Sequence, residues 1–274
     1  MASAAAQFLA TFLRAAASYA ATEDEWPLSS ADTKADRYAI AADGWCSHSG
    51  GHIALHIDAS VRALAVSYSQ IGQTYDARHT FKSLAKLVEL ARASLFLLLG
   101  PSDARVGLVA YSMGVPILLL ALRSLPESCG AFTGRVTAAA FVAPAMFGCG
   151  ELRDVWVQDQ DFLAAQIERV NRSLAEKGLT TFINPRMPPV LDRLRFPNLD
   201  AQAACRELES LLGTSTIIIT PGDGIADFDP AAGFKPLATI EIEPPREPRG
   251  LRRHFALHDH PQVVALLNQR MRAI

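Results

Sequence analysis

The sequence predicts an α/β protein with a mostly parallel central sheet and helices on both of its faces. Three observations support this fold class. Short apolar runs of strand length alternate along the chain with longer segments of helical periodicity. These runs are mainly apolar or β-branched, as expected for strands that helices cover on both faces. No segment repeats at a fixed period, and half of the 274 residues are apolar, which is enough for one large domain.

Each predicted element has a local signal. The predicted strands are apolar or β-branched runs, and they cover 37–42, 61–68, 106–110, 135–143, 215–220 and 237–242. The predicted helices cover 3–20, 52–59, 80–99, the segment that starts at Met113, 151–177, 200–212 and 261–271. In segment 80–99, Leu84, Leu87 and Ala91 have the spacing of one buried helix face. Pro261 lies in the first turn of the last helix, where its missing N–H costs little.

The chain is predicted to have three parts. Residues 1–36 form an N-terminal helix, with Phe8, Phe12 and Leu13 packing on the body or on a partner, and a polar loop. Residues 37–150 and 198–274 form the α/β core. Residues 151–197 interrupt the regular alternation, because a charged helical stretch is followed by one rich in proline and arginine. We therefore expect a small helical cap inserted at 151–197.

Composition excludes several classes of protein. The net charge is −2 and no basic cluster dominates, so nucleic acid is not an expected partner. The four cysteines show no C-x-x-C spacing, which argues against a zinc site and a disulfide framework and favours a reducing, cytoplasmic location. The N-terminal apolar segment lacks a basic region and is interrupted by Arg14, so we do not expect a secretion signal. No apolar segment is long enough to span a membrane.

A serine stands where an apolar strand turns into an apolar helix. Ser112 follows the strand 106–110, and the helix follows at Met113. Small residues, Ala110 and Gly114, lie two positions before and two after the serine. This pattern is typical of a nucleophile elbow, in which a strained backbone exposes the serine hydroxyl above the sheet. The positive end of the following helix then points to the same place.

The chain resembles the α/β-hydrolase family over residues 37–272. Residues 110–114 match the family's elbow, although Ala110 replaces its first glycine, and the resemblance implies that Ser112 is the nucleophile. Asp43-Gly44-Trp45 is similar to the family's His-Gly oxyanion turn, with aspartate in place of histidine. By that resemblance, the backbone N–H groups of Trp45 and Met113 would bind the oxyanion.

The same resemblance suggests the other two members of a catalytic triad. His254, followed by Phe255 and a closing helix that begins at Pro261, is similar to the family's last motif and would be the general base. His258 and His260 are expected to flank the helix at the surface. For the acid, we favour Asp227, because residues 224–227 resemble the family's G-x-x-D turn. Asp223 lies nearer the end of its strand and is the alternative.

The predicted activity is that of a serine hydrolase that cleaves a carboxylic ester or thioester through an acyl-enzyme on Ser112. The expected substrate is a small apolar molecule, free or bound to a carrier, in contact with Tyr111, Trp156 and Phe182. No metal or organic cofactor is implied. Two alternatives stay open: the triad could run acyl transfer, cyclisation or C–C cleavage, or the chain could be a catalytically silent ligand-binding protein.

Two further sequence features, the N-terminal segment and a set of spaced histidines, predict local structure. Many family members begin with a β-hairpin, but here a helix and a polar loop precede the first strand, so we expect a smaller sheet with the helix covering one edge. His48, His52 and His56 have a four-residue spacing that a metal-binding helix face would share. Because no H-E-x-x-H order is present, we expect a lid or surface helix there and no metal site.

Overall fold

In the described part of the chain, six parallel strands form the central sheet of the computed structural model. The structure describes residues 2–20, 36–42, 44, 56–66, 84–98, 104–125, 134–146, 148, 150–178, 193, 197–208, 214–219, 223, 238–242, 254, 256–257 and 259–274. The strands are β1 (Arg37–Ala42), β2 (Arg62–Ala65), β3 (Arg105–Tyr111), β4 (Val136–Val142), β5 (Thr214–Ile219) and β6 (Ala238–Glu241). Their order is β2-β1-β3-β4-β5-β6. The predicted fold class is confirmed.

Seven helices lie in the described part of the chain. They are α1 (Ala4–Ala20), α2 (Leu84–Leu98), α3 (Gly114–Arg123), α4 (Gly150–Gln158), α5 (Gln160–Glu176), α6 (Leu199–Leu208) and α7 (Pro261–Met271). The charged stretch predicted as one helix over 151–177 is therefore two helices. None of these helices is both long and apolar enough to cross a membrane.

The helix predicted over 52–59 is wrong in its described part, because residues 56–60 form turns. The cause is the Asp58 side chain, whose Oδ1 accepts the Ser60 N–H at 2.9 Å. The Asp58 carbonyl also accepts the Val61 N–H at 2.9 Å. A carboxylate that binds the backbone two residues ahead offers the chain an alternative to the helix.

Alternate residues of the strands enter two separate cores. Ile40 of β1 and Leu108 of β3 are paired neighbours and belong to the core on one face of the sheet. Ala41 and Val109 are the next pair and belong to the core on the other face. All four are at most 1% exposed. This double burial explains why the strands were recognisable as continuous apolar runs.

The C-terminal helix α7 closes one face at the middle of the sheet. Its Met271 and the terminal Ile274 lie over Gly107 of β3, where an added Cβ would be 2.6 Å from Met271 Sδ and 2.4 Å from Ile274 Cδ1. Both side chains are at most 1% exposed. Only a residue without a side chain lets this end of the chain approach β3 so closely.

The N-terminal helix α1, predicted to cover a sheet edge, has its main contacts among the described elements with α4 and α5. The reason is its apolar face, since Ala6 and Leu9 are fully buried in the same core as Leu163 of α5. At the start of the helix, Ser3 Oγ donates to Asp159 Oδ2 at 2.5 Å. Of the predicted packing residues, Phe8 contacts this core, and the side chains of Phe12 and Leu13 lie outside the described part of the chain.

Candidate active site

Three polar side chains from distant parts of the chain meet at the carboxyl edge of the sheet. Ser112 directly follows β3, and Asp223 follows β5 by four residues. His254 comes from the segment that leads to α7. In an open parallel sheet, this edge is where ligands bind. The three residues lie together although 142 positions separate the serine from the histidine.

The backbone of Ser112 has the strained conformation that its sequence predicts. Its φ is +52°, in the left-handed region that residues other than glycine rarely adopt. The end of β4 holds this conformation in place, because the Ser112 N–H donates to the Val142 carbonyl at 2.9 Å. The Ser112 carbonyl accepts from the N–H groups of Ala145 and Val115, both at 3.2 Å. Strain of this kind persists only where the surroundings fix it, and it is common at functional sites.

Gly44 lies against the serine from the side of β1. A Cβ added to Gly44 would be 2.9 Å from Ser112 Cβ and 3.0 Å from Tyr111 Cδ1. The turn after β1 can therefore approach the serine only because residue 44 has no side chain. The neighbouring Asp43 and Trp45 lie outside the described residues.

Two hydrogen bonds connect the three polar side chains in a line. Ser112 Oγ lies 2.8 Å from His254 Nε2. On the other side of the ring, His254 Nδ1 lies 2.8 Å and 3.0 Å from the two carboxylate oxygens of Asp223. Because an ionised carboxylate can only accept, Nδ1 carries the proton of the neutral imidazole. Nε2 then has a free lone pair, and the serine hydroxyl donates to it.

The array is almost closed to solvent. Ser112 is 5% exposed, and Asp223 and His254 are each 1% exposed. In such surroundings the interaction between the imidazole and the carboxylate is screened far less than in water. The arrangement can therefore take a proton from Ser112 and stabilise the imidazolium that results.

Hydrogen-bond donors are present beside the hydroxyl at the start of α3. Met113 follows the serine directly, and its N–H has no acceptor among the described residues. The first N–H groups of a helix have no partner within it and form its partially positive end. A negative charge developing next to Ser112 Oγ would find these donors nearby.

Of the two candidates for the triad acid, the structure describes only Asp223. Asp223, the alternative, occupies Nδ1 of His254 with both carboxylate oxygens. Asp227 lies outside the described part of the chain. The signal that favoured Asp223 was its short distance along the chain from the end of β5.

Tyr111 and Trp156, both predicted to contact substrate, are almost completely buried within the protein. Tyr111 is 4% exposed, and its hydroxyl donates to the His254 carbonyl at 2.8 Å. Trp156 is 1% exposed and lies in the core that α1, α4 and α5 share. Phe182 lies outside the described residues. The Tyr111–His254 contact is one that no local sequence signal could indicate.

Other histidines have structural contacts. The Nδ1 atom of His260 accepts the Gln262 N–H at 3.3 Å and so caps α7, as expected for a residue that flanks the helix. His56 lies 2.9 Å from Asp259. His48, His52 and His258 lie outside the described residues. Within the described part of the chain, no group of three His, Cys, Asp or Glu side chains is arranged to hold a metal ion.

Solved structures of similar fold provide the one informative comparison. A lipase-esterase related protein from Clostridium acetobutylicum is 12% identical, with 86% of this chain and 95% of that chain covered and a TM-score of 0.50. A 2-hydroxy-6-oxo-6-phenylhexa-2,4-dienoate hydrolase from Rhodococcus sp. strain RHA1 is also 12% identical, with 86% and 90% covered and a TM-score of 0.49. No protein-family model matches the sequence, and no curated protein is significantly similar to it. At 12% identity, the similarity to these structures is evidence for a shared fold only.

Proposed function

This chain has the α/β-hydrolase fold, and we propose that it is a serine hydrolase that cleaves carboxylic esters or thioesters. One observation carries the proposal: Ser112 Oγ lies 2.8 Å from His254 Nε2, whose ring is held on its far side by Asp223. A serine hydroxyl is a weak nucleophile until a base removes its proton. The geometry supports His254 as that base and Asp223 as the acid of the triad.

In the first half of the reaction, His254 Nε2 takes the proton of Ser112 Oγ while Oγ attacks the carbonyl carbon of the substrate. The new C–O bond turns the carbonyl oxygen into an oxyanion. When this tetrahedral intermediate collapses, the bond to the alcohol or thiol breaks, and the leaving group takes the proton from His254. Asp223 stabilises the imidazolium throughout and keeps its proton on Nδ1.

In the second half, water repeats the sequence on the acyl-enzyme. His254 takes a proton from water, whose oxygen attacks the acyl carbon. The acid product leaves as Ser112 Oγ regains the proton. No electron donor or acceptor is needed, since both halves are acyl transfers.

The oxyanion would bind to two backbone N–H groups. The Met113 N–H is supported by its place between Ser112 and α3, with no acceptor among the described residues. The second donor is the Trp45 N–H, and the close approach of Gly44 to Ser112 supports it. Each such donor contributes on the order of a hundredfold to a thousandfold in rate.

The proposed substrate class rests on the apolar residues in the sequence of segment 151–197. We keep residues 151–197 as the cap that shapes an apolar acyl pocket, with Phe182 as the candidate for direct contact. Trp156 supports the cap from within, because it anchors α4 in the core.

The test is turnover of esters and thioesters of increasing acyl length, with identification of the product. We expect wild type to release the free acid and Ser112→Ala to lose at least about a thousandfold in kcat. The matched control is Ser124→Ala at the other end of α3, where the hydroxyl only bonds to the Ala121 carbonyl. Equal turnover by wild type and Ser112→Ala would overturn the proposal, and an acylated acceptor in place of free acid would make the chain an acyltransferase.

A further inference from the structure

Tyr111 contacts three other parts of the candidate site, namely Ser112, Gly44 and His254. It is covalently joined to Ser112 and lies at the end of β3. Its ring lies against Gly44, where an added Cβ would be 3.0 Å from Cδ1 and 3.3 Å from Cε1. Its hydroxyl donates to the His254 carbonyl at 2.8 Å, and the two ring centroids are 5.2 Å apart.

The hydroxyl contact fixes the backbone that carries the base. The His254 carbonyl also accepts the Leu257 N–H, at 3.3 Å. The shorter of the two bonds is therefore the one that ties the His254 backbone to β3, the strand that carries the serine. The serine and the base are thus held at a fixed separation through a single side chain.

The ring contact fixes where the base can point. The Tyr111 and His254 rings are inclined at 34° to each other, and both side chains are almost wholly buried. The tyrosine ring thus contacts both Gly44, in the turn after β1, and the imidazole. A buried ring with two such contacts has little freedom to move.

We propose that Tyr111 is a positioning residue that holds the His254 imidazole in hydrogen-bonding distance of Ser112. The proposal deepens the assignment of Ser112 and His254 as nucleophile and base, and it rests on that proposed function. It replaces the substrate contact expected from the sequence, since Tyr111 is 4% exposed and its hydroxyl bonds to protein. A displacement of about 1 Å in such an array can reduce the rate about a hundredfold.

The test compares Tyr111→Phe, which removes only the hydroxyl, with wild type. We expect kcat on an ester substrate to fall about tenfold to a hundredfold, with KM within about twofold because no substrate contact is lost. Labelling of Ser112 by a small fluorophosphonate should slow by a similar factor. The matched control is Tyr38→Phe in the neighbouring strand β1, which removes the same hydroxyl near the opposite end of the sheet and should leave kcat unchanged.

A second readout does not depend on activity. The His254 Nδ1–H proton, which is shared with Asp223, should give a resolved NMR signal that disappears in Asp223→Asn. We expect Tyr111→Phe to shift or broaden this signal and Tyr38→Phe to leave it in place. Tyr111→Leu, which removes the ring as well, should have the larger effect.

The two readouts separate the possible failures. If wild type neither hydrolyses esters nor reacts with the fluorophosphonate, while Tyr111→Phe still changes the His254 signal, the proposed function fails and the positioning role stands. If wild type is active and Tyr111→Phe matches it in kcat, labelling rate and His254 signal, the positioning role is overturned. A rise in KM with unchanged kcat would also overturn it, since that result indicates a substrate contact.

Discussion

The carboxylate of Asp223 determines which nitrogen of His254 carries the proton. Both of its oxygens lie within 3.0 Å of Nδ1. In Asp223→Asn, the amide N–H₂ can donate to Nδ1 and move the proton to Nε2, where it blocks the proton transfer from Ser112. We therefore expect kcat near neutral pH to fall on the order of a thousandfold, with the fold retained. Steady-state kinetics with circular dichroism would measure this.

The matched control is Asp227→Asn, which changes the other candidate aspartate, four positions further along the chain. We expect a change in kcat of less than about threefold, because Asp223 already occupies His254 Nδ1 with both oxygens. The reverse outcome, with Asp227→Asn inactive and Asp223→Asn active, would assign the acid to Asp227.

The candidate site also requires that residue 44 has no side chain. In Gly44→Ala, the new Cβ would be 2.9 Å from Ser112 Cβ, so the turn after β1 must move away from the serine. We expect kcat to fall at least about tenfold, because the proposed second oxyanion donor, the Trp45 N–H, would move with that turn. Kinetics of the folded variant would measure this, and a Gly44→Ala enzyme with wild-type kcat would contradict it.

Residue by residue, the sequence indicated Ser112 because it stands between a recognisable strand and helix, and His254 through its resemblance to a family motif before the closing helix. For the acid it favoured Asp227 over Asp223, although both follow the same strand and nothing local says which one faces the histidine. The approach of the Gly44 turn to Ser112 was implied only by the family resemblance. The contact between Tyr111 and His254 depends on how distant segments meet, and periodicity and motif spacing describe only neighbours along the chain, so it could not be predicted.

Among the elements, the contact between β3 and the C-terminal helix depends on Gly107. In Gly107→Ala, the methyl group would lie 2.4 Å from Ile274 Cδ1 and 2.6 Å from Met271 Sδ, and both side chains are buried. We expect the free energy of unfolding to fall by about 1–3 kcal/mol, as for other overpacked cores. Urea denaturation would measure it.

The control for this change is Gly134→Ala, where the added methyl group would have no atom within 4 Å. We expect the unfolding free energy of this variant to stay within about 0.5 kcal/mol of wild type. Equal stability of Gly107→Ala and wild type would show that α7 can move away from β3 without cost.

The helices and strands themselves were largely predictable, because the segments that form them are rich in apolar residues that become buried. The bounds predicted for β1 and α7 agree with the structure, and those of β3 and β4 differ by one residue at each end. The break between α4 and α5 was missed, because the sequence pattern of a charged amphipathic stretch is the same for one helix as for two. The partner of α1 was missed for another reason: an apolar face indicates that a helix packs, but not on what.

For the whole molecule, an ion pair joins Asp58, in the turn before β2, to Arg272, the C-cap residue of α7. The Arg272 guanidinium hydrogen-bonds to the Asp58 carboxylate and, together with the Ser60 N–H, holds the pKa of Asp58 well below its usual range. A carboxyl group with a lowered pKa contributes stability above its unfolded pKa, near 3.8, and loses it as the pH falls toward the folded value. Wild type should therefore lose stability between about pH 5 and about pH 2.

The variant Asp58→Asn removes this contribution. We expect it to be less stable than wild type at neutral pH and to lose less stability across the acid window, so that the two urea midpoints converge at low pH. The control is Glu168→Gln at an exposed position on α5. Its urea midpoint should change with pH in the same way as that of wild type. A constant difference between wild type and Asp58→Asn at all pH values would contradict the assigned ion pair.

At this scale the sequence predicted a mostly parallel sheet but not the strand order. Alternation of strands and helices is compatible with several orders, and the pairing of β3 with both β1 and β4 brings together residues far apart in the chain. The predicted division into a core and a cap at 151–197 stays a prediction. The helices of that segment share their core with α1, so composition alone does not set a boundary there.

The most direct test of the central claim, an activated serine at residue 112, is the mass of the protein after reaction with a fluorophosphonate. Intact-mass spectrometry followed by peptide mapping would compare wild type, Ser112→Ala, His254→Ala and the control Ser124→Ala. We predict one adduct on wild type and on Ser124→Ala, located at Ser112, and none on the other two. Folded wild type without an adduct, or with an adduct that persists in Ser112→Ala, would contradict the account.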